Sequence, residues 1–170
     1  MVTAAGTTAG SAFDIAAATP DPELPMVTIA DLGILRAVEE HDGRVVATIT
    51  PTYSGCPAMP EIAHDVRRRL ERAGFTEVVV RTSIDPPWSS DWITDNGRHK
   101  LADAGIAPPH SAPTRGPTTL LQLRPTRRLV ACPRCGSTQT VRTADFAATA
   151  CRALYRCDDC REPFEYVKEL

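Results

Sequence analysis

Residues 44–84, RVVATITPTYSGCPAMPEIAHDVRRRLERAGFTEVVVRTSI, carry the clearest secondary-structure signals of the N-terminal half of the chain. This stretch begins with an apolar run at 44–50, with a continuous core expected at 45–47, and ends with another run at 76–84; both are rich in β-branched residues typical of strands. Between them, Pro60 suits the first turn of a helix and Gly74 suits its end. Apolar residues recur at helical spacing in this segment: Ile62, Val66, Leu70 and Ala73. The stretch therefore predicts a strand, an amphipathic helix and a second strand.

Further elements precede this stretch. Residues 33–39 predict a strand that pairs with 44–50 across the turn-forming Asp42-Gly43. Ser11 can cap a short helix that runs through Ala18, and the prolines of 20–25 then force an extended loop. The order helix, two strands, helix, strand predicts an α+β fold, with a small sheet of about three strands and helices on one face.

Two Cys-x-x-Cys hooks lie near the C-terminus, separated by residues 136–156, at a spacing typical of zinc sites. The predicted metal ligands are Cys132, Cys135, Cys157 and Cys160. Two such hooks complete a closed tetrahedron, which leaves no open position for chemistry and therefore predicts a structural zinc. Iron is the alternative, because tetrahedral thiolate sites also hold iron. Alternating residues at 154–156 and 164–166 predict the hairpin of a zinc-ribbon-like module.

Periodicity and proline content along the chain predict where the domain boundaries lie. Residues 1–10 lack periodicity and predict a disordered tail, and residues 11–106 predict the α+β domain, ending after a short helix at 96–105. Residues 107–117 hold four prolines and predict a linker. The four-cysteine module then occupies 118–170, with a strand expected at 120–130.

Charge and hydropathy exclude several classes of partner. The net charge of -2 provides no field that would attract nucleic acid, and no stretch resembles a membrane span or a signal peptide. We therefore expect a cytoplasmic protein with no nucleic-acid or membrane partner. In a reducing compartment, its six cysteines favour metal ligation or reactive thiols over disulfides.

Cys56 lies between the strand at 44–50 and the predicted helix, a few residues ahead of the helix N-terminus. The free amides and partial positive charge there stabilise a thiolate, the form that binds metal or attacks. A packed loop cysteine is the alternative. Cys151 is a spare thiol for which we expect a buried apolar role.

Other side chains are weaker candidates. His64 could face the Cys56 loop but is more typical of a surface histidine, and the arginines of 67–72 predict a solvated face or an acidic partner's docking site. Trp88 and Trp92 predict buried anchors, with partner contact as the alternative. The chain lacks a phosphate-binding loop, a nucleophile elbow and the paired Glu-x-x-His motifs of a di-iron centre, so a self-contained oxygenase is not expected.

Three motifs of residues 20–84 resemble the metal-sulfur cluster biosynthesis domain family. They are the acidic turn Asp21-Pro22-Glu23, the strand entry Asp31-Leu32-Gly33 and the loop Thr52-Tyr53-Ser54-Gly55-Cys56-Pro57. The resemblance carries that family's reactive cysteine over to Cys56. It also carries the acidic position over to Glu23, as a candidate partner contact or transient metal ligand.

Further motifs make the whole chain after the tail similar to the family of phenylacetyl-CoA epoxidase D subunits, the PaaD type. They are Asp85-Pro86-Pro87-Trp88, Asn96-Gly97-Arg98, the segment 105–109 and the terminal cysteine module. The resemblance implies a non-catalytic accessory factor that assists iron-sulfur cluster or iron assembly in the oxygenase or iron-sulfur reductase subunits of that enzyme. A transient cluster on the chain and self-association into a homodimer remain open. The alternatives are a purely structural subunit and a thiol oxidoreductase.

Overall fold

The computed structural model describes residues 11–42, 44–109 and 129–169. The chain divides into two compact units, Met1–Trp88 and Ser89–Leu170. The boundary predicted from the sequence lies in 107–117 instead, and residues 110–117 of that predicted linker lie outside the described residues, as do the tail 1–10 and the turn residue Gly43. Among the described residues, none of the helices has the length and apolar character of a membrane span.

The first unit is an α+β fold. Its elements are α1 Ala12–Ala17, β1 Leu35–His41, β2 Arg44–Ile49, α2 Met59–Arg72 and β3 Glu77–Thr82. The sheet has the order β1-β2-β3, with β1 antiparallel and β3 parallel to β2. The predicted fold class is confirmed, and the observed strand bounds differ from the predicted ones by up to two residues at each end.

Local chemistry explains where the helices begin and end. The Ser11 hydroxyl accepts a hydrogen bond from the backbone N–H of Asp14 at 3.2 Å and caps α1. In α2, Pro60 lies in the first turn, where its missing N–H leaves no hydrogen bond unmade. Gly74 follows the helix with a φ of 102°, a conformation that glycine adopts without strain.

The core of the first unit lies between one face of the sheet and the apolar stripe of α2. Ile62, Val66 and Leu70 are buried, as predicted, whereas Ala73 is only partly buried. In β2, Val45, Ala47 and Ile49 are buried and alternate with partly buried residues. The expectation of a continuous core at 45–47 was therefore wrong at Val46, because successive side chains of a strand point to opposite faces.

In its described residues, the second unit contains a short 3₁₀ helix, one α-helix and a small sheet. Its elements are the 3₁₀ helix Ser90–Trp92, α3 Asp95–Asp103, β4 Ile106–Ala107, β5 Thr140–Ala144, β6 Arg152–Cys157 and β7 Pro163–Val167. The strand order is β4-β7-β6-β5. The antiparallel pair of β6 and β7 is the predicted ribbon hairpin. The residues of β4, expected to end one domain and start a linker, pair instead in parallel with β7.

The strand expected at 120–130 falls mostly outside the described residues, and Leu129 and Val130 do not belong to a strand. Val130 is nevertheless buried, and its carbonyl accepts a hydrogen bond from the Thr140 hydroxyl at 2.7 Å. The segment before the first hook is thus tied to the beginning of β5.

Candidate functional site: a four-cysteine centre and a cysteine turn

The two Cys-x-x-Cys hooks come together at one end of the ribbon. The first hook follows Val130, and the second begins with the last residue of β6 and ends before β7. The four sulfur atoms lie within 4.8 Å of one another, in a group that could hold a metal ion. Two of the distances are 3.7 Å, between Cys132 and Cys160, and 3.6 Å, between Cys135 and Cys157.

This arrangement fits a tetrahedral metal ion. With metal-sulfur bonds of about 2.3 Å, the edges of a regular tetrahedron of sulfurs are about 3.8 Å long. The observed separations of 3.6 and 3.7 Å match that edge length closely. A set of four thiolates is also the donor set that zinc takes in closed structural sites, and iron accepts the same set.

Backbone hydrogen bonds set the shape of each hook. In the first, the N–H of Gly136 donates to the carbonyl of Cys132, and the N–H of Cys132 donates to the carbonyl of Ser137, both at 2.8 Å. In the second, the N–H of Cys157 donates to the carbonyl of Glu162 at 3.0 Å. The N–H of Asp158 donates to the carbonyl of Gln139 at 2.8 Å and so links the second hook to the segment that follows the first.

The sulfur atoms have unequal affinities for protons. Hydrogen bonds to the sulfur of Cys157, chiefly from the N–H of Cys160 and also from the N–H of Asp159, outweigh desolvation and lower the pKa of that thiol to about 7. For Cys160, the N–H of Glu162 lowers the pKa, but desolvation and the neighbouring sulfurs outweigh it and raise the pKa to about 12. Four negative sulfurs at these distances repel one another, so a cation among them would favour the thiolate form of all four.

A small apolar core lies beside the centre. Cys132 and Cys157 are themselves buried, and they pack with four other buried residues: Ala107, Val130, Phe164 and Tyr166. Tyr155 stacks on Phe164 at 5.8 Å between ring centroids and meets Tyr166 edge-on at 5.5 Å. Because two of the four cysteines belong to this core, a metal ion held by the four sulfurs would be coupled to the packing of the ribbon.

Cys56 lies in the turn between β2 and α2. The N–H of Cys56 donates to the carbonyl of Tyr53 at 3.2 Å, and Gly55 at the third position of this turn has a φ of 89°. These are the features of a type II turn, which requires glycine at that position. Cys56 is partly exposed and precedes the first residue of α2 by three positions. The sequence prediction of a cysteine just before a helix N-terminus is confirmed.

The acidic turn is organised by Asp21, which was not among the predicted site residues. Its buried carboxylate accepts hydrogen bonds from the N–H groups of Glu23, at 2.9 Å, and Leu24, at 2.8 Å. Glu23 is partly exposed. An aspartate before a proline, followed by free amides, is the signal for such a turn and could have identified Asp21 as a structural residue.

A ladder of backbone hydrogen bonds connects the acidic turn with the strand that leads to Cys56. The N–H of Ile29 donates to Thr19 at 2.9 Å, that of Ile34 to Ile29 at 2.8 Å, and that of Thr50 to Ile34 at 2.9 Å. Thr19 directly precedes the acidic turn, and Thr50 directly follows β2. The ladder thus fixes the segments that carry Glu23 and Cys56 to the same end of the sheet.

The weaker candidates lie elsewhere. His64 is exposed, and Arg68 pairs with Asp65 on the solvated face of α2. Trp88 is buried and its indole N–H donates to the carbonyl of Leu32 at 2.9 Å, as expected of an anchor.

Trp92 is only partly buried. Cys151 is also only partly buried, so the expectation of a buried apolar role was wrong: its sulfur lies 3.0 Å from the Thr149 hydroxyl oxygen.

Comparison with known proteins identifies two parts of the chain. Residues 18–80 match the model of a family described as iron-sulfur cluster assembly protein. Residues 116–168 match the model of the PaaD zinc beta ribbon domain. The cysteine turn thus falls in the first match and the four-cysteine centre in the second.

Some relatives cover about half of the chain. An Fe-S protein maturation auxiliary factor of Porphyromonas gingivalis is 35% identical over 48% of this chain and 78% of its own length. A solved structure of a DUF59 domain from Bacillus anthracis is 30% identical, with a TM-score of 0.49, over 53% of this chain and 87% of that one.

A further relative extends over nearly the whole chain. It is an Escherichia coli protein provisionally named as the D-type subunit of 1,2-phenylacetyl-CoA epoxidase, and it is 44% identical over 88% of this chain and 86% of its own length. Both the cysteine turn and the ribbon are therefore parts of one shared architecture, and the chain belongs to the family of phenylacetyl-CoA epoxidase D subunits.

Proposed function

We propose that the chain is a non-catalytic accessory factor that assists iron-sulfur cluster or iron assembly in a partner subunit of a multicomponent phenylacetyl-CoA epoxidase. The observation that carries this proposal is the placement of Cys56. It is partly exposed in a glycine-dependent turn before α2, inside the segment that matches an iron-sulfur cluster assembly family.

A single thiolate in a turn suits transient contact with a metal. The first turn of α2 presents backbone amides and the positive end of the helix dipole, which favour the ionised thiol. One ligand from this chain leaves the remaining positions of an iron atom or a cluster open to the recipient subunit. Glu23, at the same end of the sheet, is the second candidate contact, either for the iron atom or cluster or for the recipient subunit, called the client below.

The four-cysteine centre has a different role in the proposal. Cys132, Cys135, Cys157 and Cys160 would hold zinc, whose bound charge neutralises the thiolates and fixes the ribbon hairpin. Iron in the same site is the alternative. Because the site is closed, its function is to fold the module, which is then available to dock the client.

Complementation tests the proposed role of Cys56. Cells that lack this chain would be supplied with the wild type, with Cys56→Ala or with Cys151→Ala, and phenylacetyl-CoA epoxidase activity would be measured in extracts. Cys151 is the matched control because it is also a partly buried cysteine outside the metal centre. We expect activity to be restored by the wild type and by Cys151→Ala only. Full restoration by Cys56→Ala would contradict the proposal.

A structural subunit of the epoxidase is the second candidate function. The Escherichia coli relative, which is named as a subunit of that enzyme, favours it. The two functions differ in stoichiometry. An accessory factor leaves the finished enzyme, so the purified active epoxidase should contain little of this chain. A structural subunit would co-purify in fixed proportion and would tolerate Cys56→Ala.

Metal analysis separates the two sites. Protein purified without air would be analysed for zinc, iron and sulfide, as the wild type and as Cys56→Ser. One zinc per chain in both proteins, without cluster absorbance, would leave Cys56 a transient contact. Iron and sulfide that disappear with Cys56→Ser would make the chain a cluster carrier. Loss of zinc with Cys56→Ser would contradict the assignment of the metal to the ribbon.

A further inference from the structure

Strand β3 forms an open edge of the sheet in the first unit. It pairs with β2 on one side in regular parallel register, and none of the strands in the described ranges pairs with its other side. Open edges in monomeric proteins are usually protected by proline, by a bulge or by charged side chains, especially lysine. β3 has no proline, lysine or bulge, and its two charged residues have opposite signs, in the sequence Glu77-Val78-Val79-Val80-Arg81-Thr82.

The opposite edge of the sheet differs. β1 contains an irregularity between Leu35 and Ala37, where its register with β2 shifts. Such a bulge twists the strand and interrupts the regular row of backbone groups that a further strand would need. Of the two edges, β3 is therefore the one suited to pair with another chain.

The charges of β3 are arranged symmetrically about Val79. In an antiparallel pair of two β3 strands centred on Val79, that residue faces its own copy and Val78 faces Val80 of the other chain. Glu77 then lies directly opposite Arg81 of the other chain, and this pairing occurs twice because the arrangement has twofold symmetry. Centring the pair one residue further along would lose both charge pairs.

We propose that two copies of this chain associate through antiparallel pairing of their β3 strands, centred on Val79, to form one continuous six-stranded sheet from two three-stranded sheets. The backbone groups of both edges become paired, and the partly exposed valines Val78, Val79 and Val80 become covered. This assembly is independent of the proposed function of Cys56, which lies in the turn before α2.

The charged residues of β3 are available for this contact. Arg81 is exposed. Glu77 forms an ion pair with Arg44 at 3.3 Å, but the two side chains are 62% and 47% exposed. Exposed pairs of this kind contribute little to stability, so Glu77 can contact a second arginine without loss of the fold. In the dimer, Arg81 of the second copy would therefore lie opposite Glu77 without disturbing the fold of either copy.

Charge reversal tests the pairing. The molar mass of the whole chain, 18.4 kDa as a monomer, would be followed over a range of concentrations by sedimentation equilibrium. We expect the wild type to dimerise, and Glu77→Arg and Arg81→Glu each to dimerise at least tenfold more weakly, because each places two like-charged pairs across the interface. An equimolar mixture of the two variants restores both opposite-charge pairs and should form a heterodimer.

Glu39→Arg provides the matched control, because it makes the same change of charge at an exposed position of the opposite edge strand. It should dimerise like the wild type, and circular dichroism should give the same spectrum for every variant. A wild type that stays monomeric at all concentrations would overturn the proposal. So would a dimer that both single variants leave unchanged, or a mixture that fails to associate.

Discussion

Gly136 and Arg161 occupy equivalent positions in the two hooks of the four-cysteine centre. Each directly follows the second cysteine of its hook, and their φ angles are 73° and 67°. The backbone thus adopts the same left-handed conformation after both hooks, although only one of them carries glycine there. A residue with a Cβ atom is strained in this conformation and glycine is not.

Substitutions at these two positions should therefore act in opposite directions. A Cβ atom at Gly136 would meet no atom within 4 Å, so Gly136→Ala introduces backbone strain alone and should lower the free energy of unfolding of the ribbon by about 1 kcal/mol. Arg161→Gly removes strain and should raise it by less than about 1 kcal/mol, because glycine also stabilises the unfolded chain. Thermal unfolding of the metal-loaded protein measures both. Equal destabilisation by the two variants would contradict the prediction that the first adds backbone strain and the second removes it.

Removal of the metal should unfold the ribbon and leave the first unit folded. Two of the four cysteines belong to the ribbon core, and the binding energy of such sites is largely folding energy. We expect a chelator to abolish hydrogen-exchange protection in β6 and β7 while β2 and α2 stay protected. Unchanged protection in β6 and β7 after the metal has left would show that the ribbon folds without it.

Acid should have the same effect as the chelator. Protons compete with the metal for the thiolates, so metal affinity falls as the pH falls. Without metal, the pKa of Cys157 is about 7, below that of an ordinary thiol. The stability that its thiolate contributes to the folded ribbon is therefore fully present above the ordinary thiol pKa, and it is lost as the pH falls through about 7. Metal release followed by a coloured chelator should increase steadily as the pH is lowered. Release that increases toward high pH would contradict thiolate ligation.

The ion pair between Arg152 and Glu165 should stabilise the ribbon hairpin. The Arg152 side chain is only 9% exposed, and its Nε also donates to the Thr149 hydroxyl at 3.0 Å. Glu165→Ala leaves this guanidinium without its carboxylate and should cost about 3 kcal/mol, as measured by denaturant unfolding. The double variant Arg152→Met with Glu165→Leu should be closer to the wild type. A double variant less stable than Glu165→Ala would show that the cost is not that of an unpaired buried charge.

Trp88 should anchor the chain after β3 to the strand entry at Leu32. Trp88→Phe keeps most of the apolar contact but leaves a buried carbonyl without its donor, so it should lower the free energy of unfolding of the first unit by about 1–3 kcal/mol. Trp92, which is partly buried, provides a comparison through Trp92→Phe, for which we expect a smaller loss. A Trp88→Phe protein as stable as the wild type would contradict an anchoring role.

Short-range patterns explain what could be predicted from the sequence. The apolar stripe of α2, the proline in its first turn and the spacing of the cysteine hooks are each set within a few residues, and the structure contains all three. The turn of Cys56 was equally predictable, since the glycine before it and the helix after it are local features.

Long-range pairing explains what could not be predicted. β4 contains only two residues and exists because β7, far away in sequence, pairs with it. β5 is mostly exposed and lacks the apolar alternation by which strands are recognised. Local sequence determines neither the packing of residues 89–109 in the same unit as the ribbon nor the formation of β5. Both depend on strands that are distant in sequence and pair only in the folded protein.

The iron and sulfide content of the partner subunit shows whether Cys56 takes part in its assembly. The iron-sulfur partner subunit would be purified without air from cells that contain the wild-type chain, Cys56→Ala or Cys151→Ala. We expect full occupancy with the wild type and with Cys151→Ala, and depleted iron and sulfide with Cys56→Ala at equal amounts of the folded accessory chain. A fully loaded partner subunit from the Cys56→Ala cells would contradict the role of this cysteine in assembly.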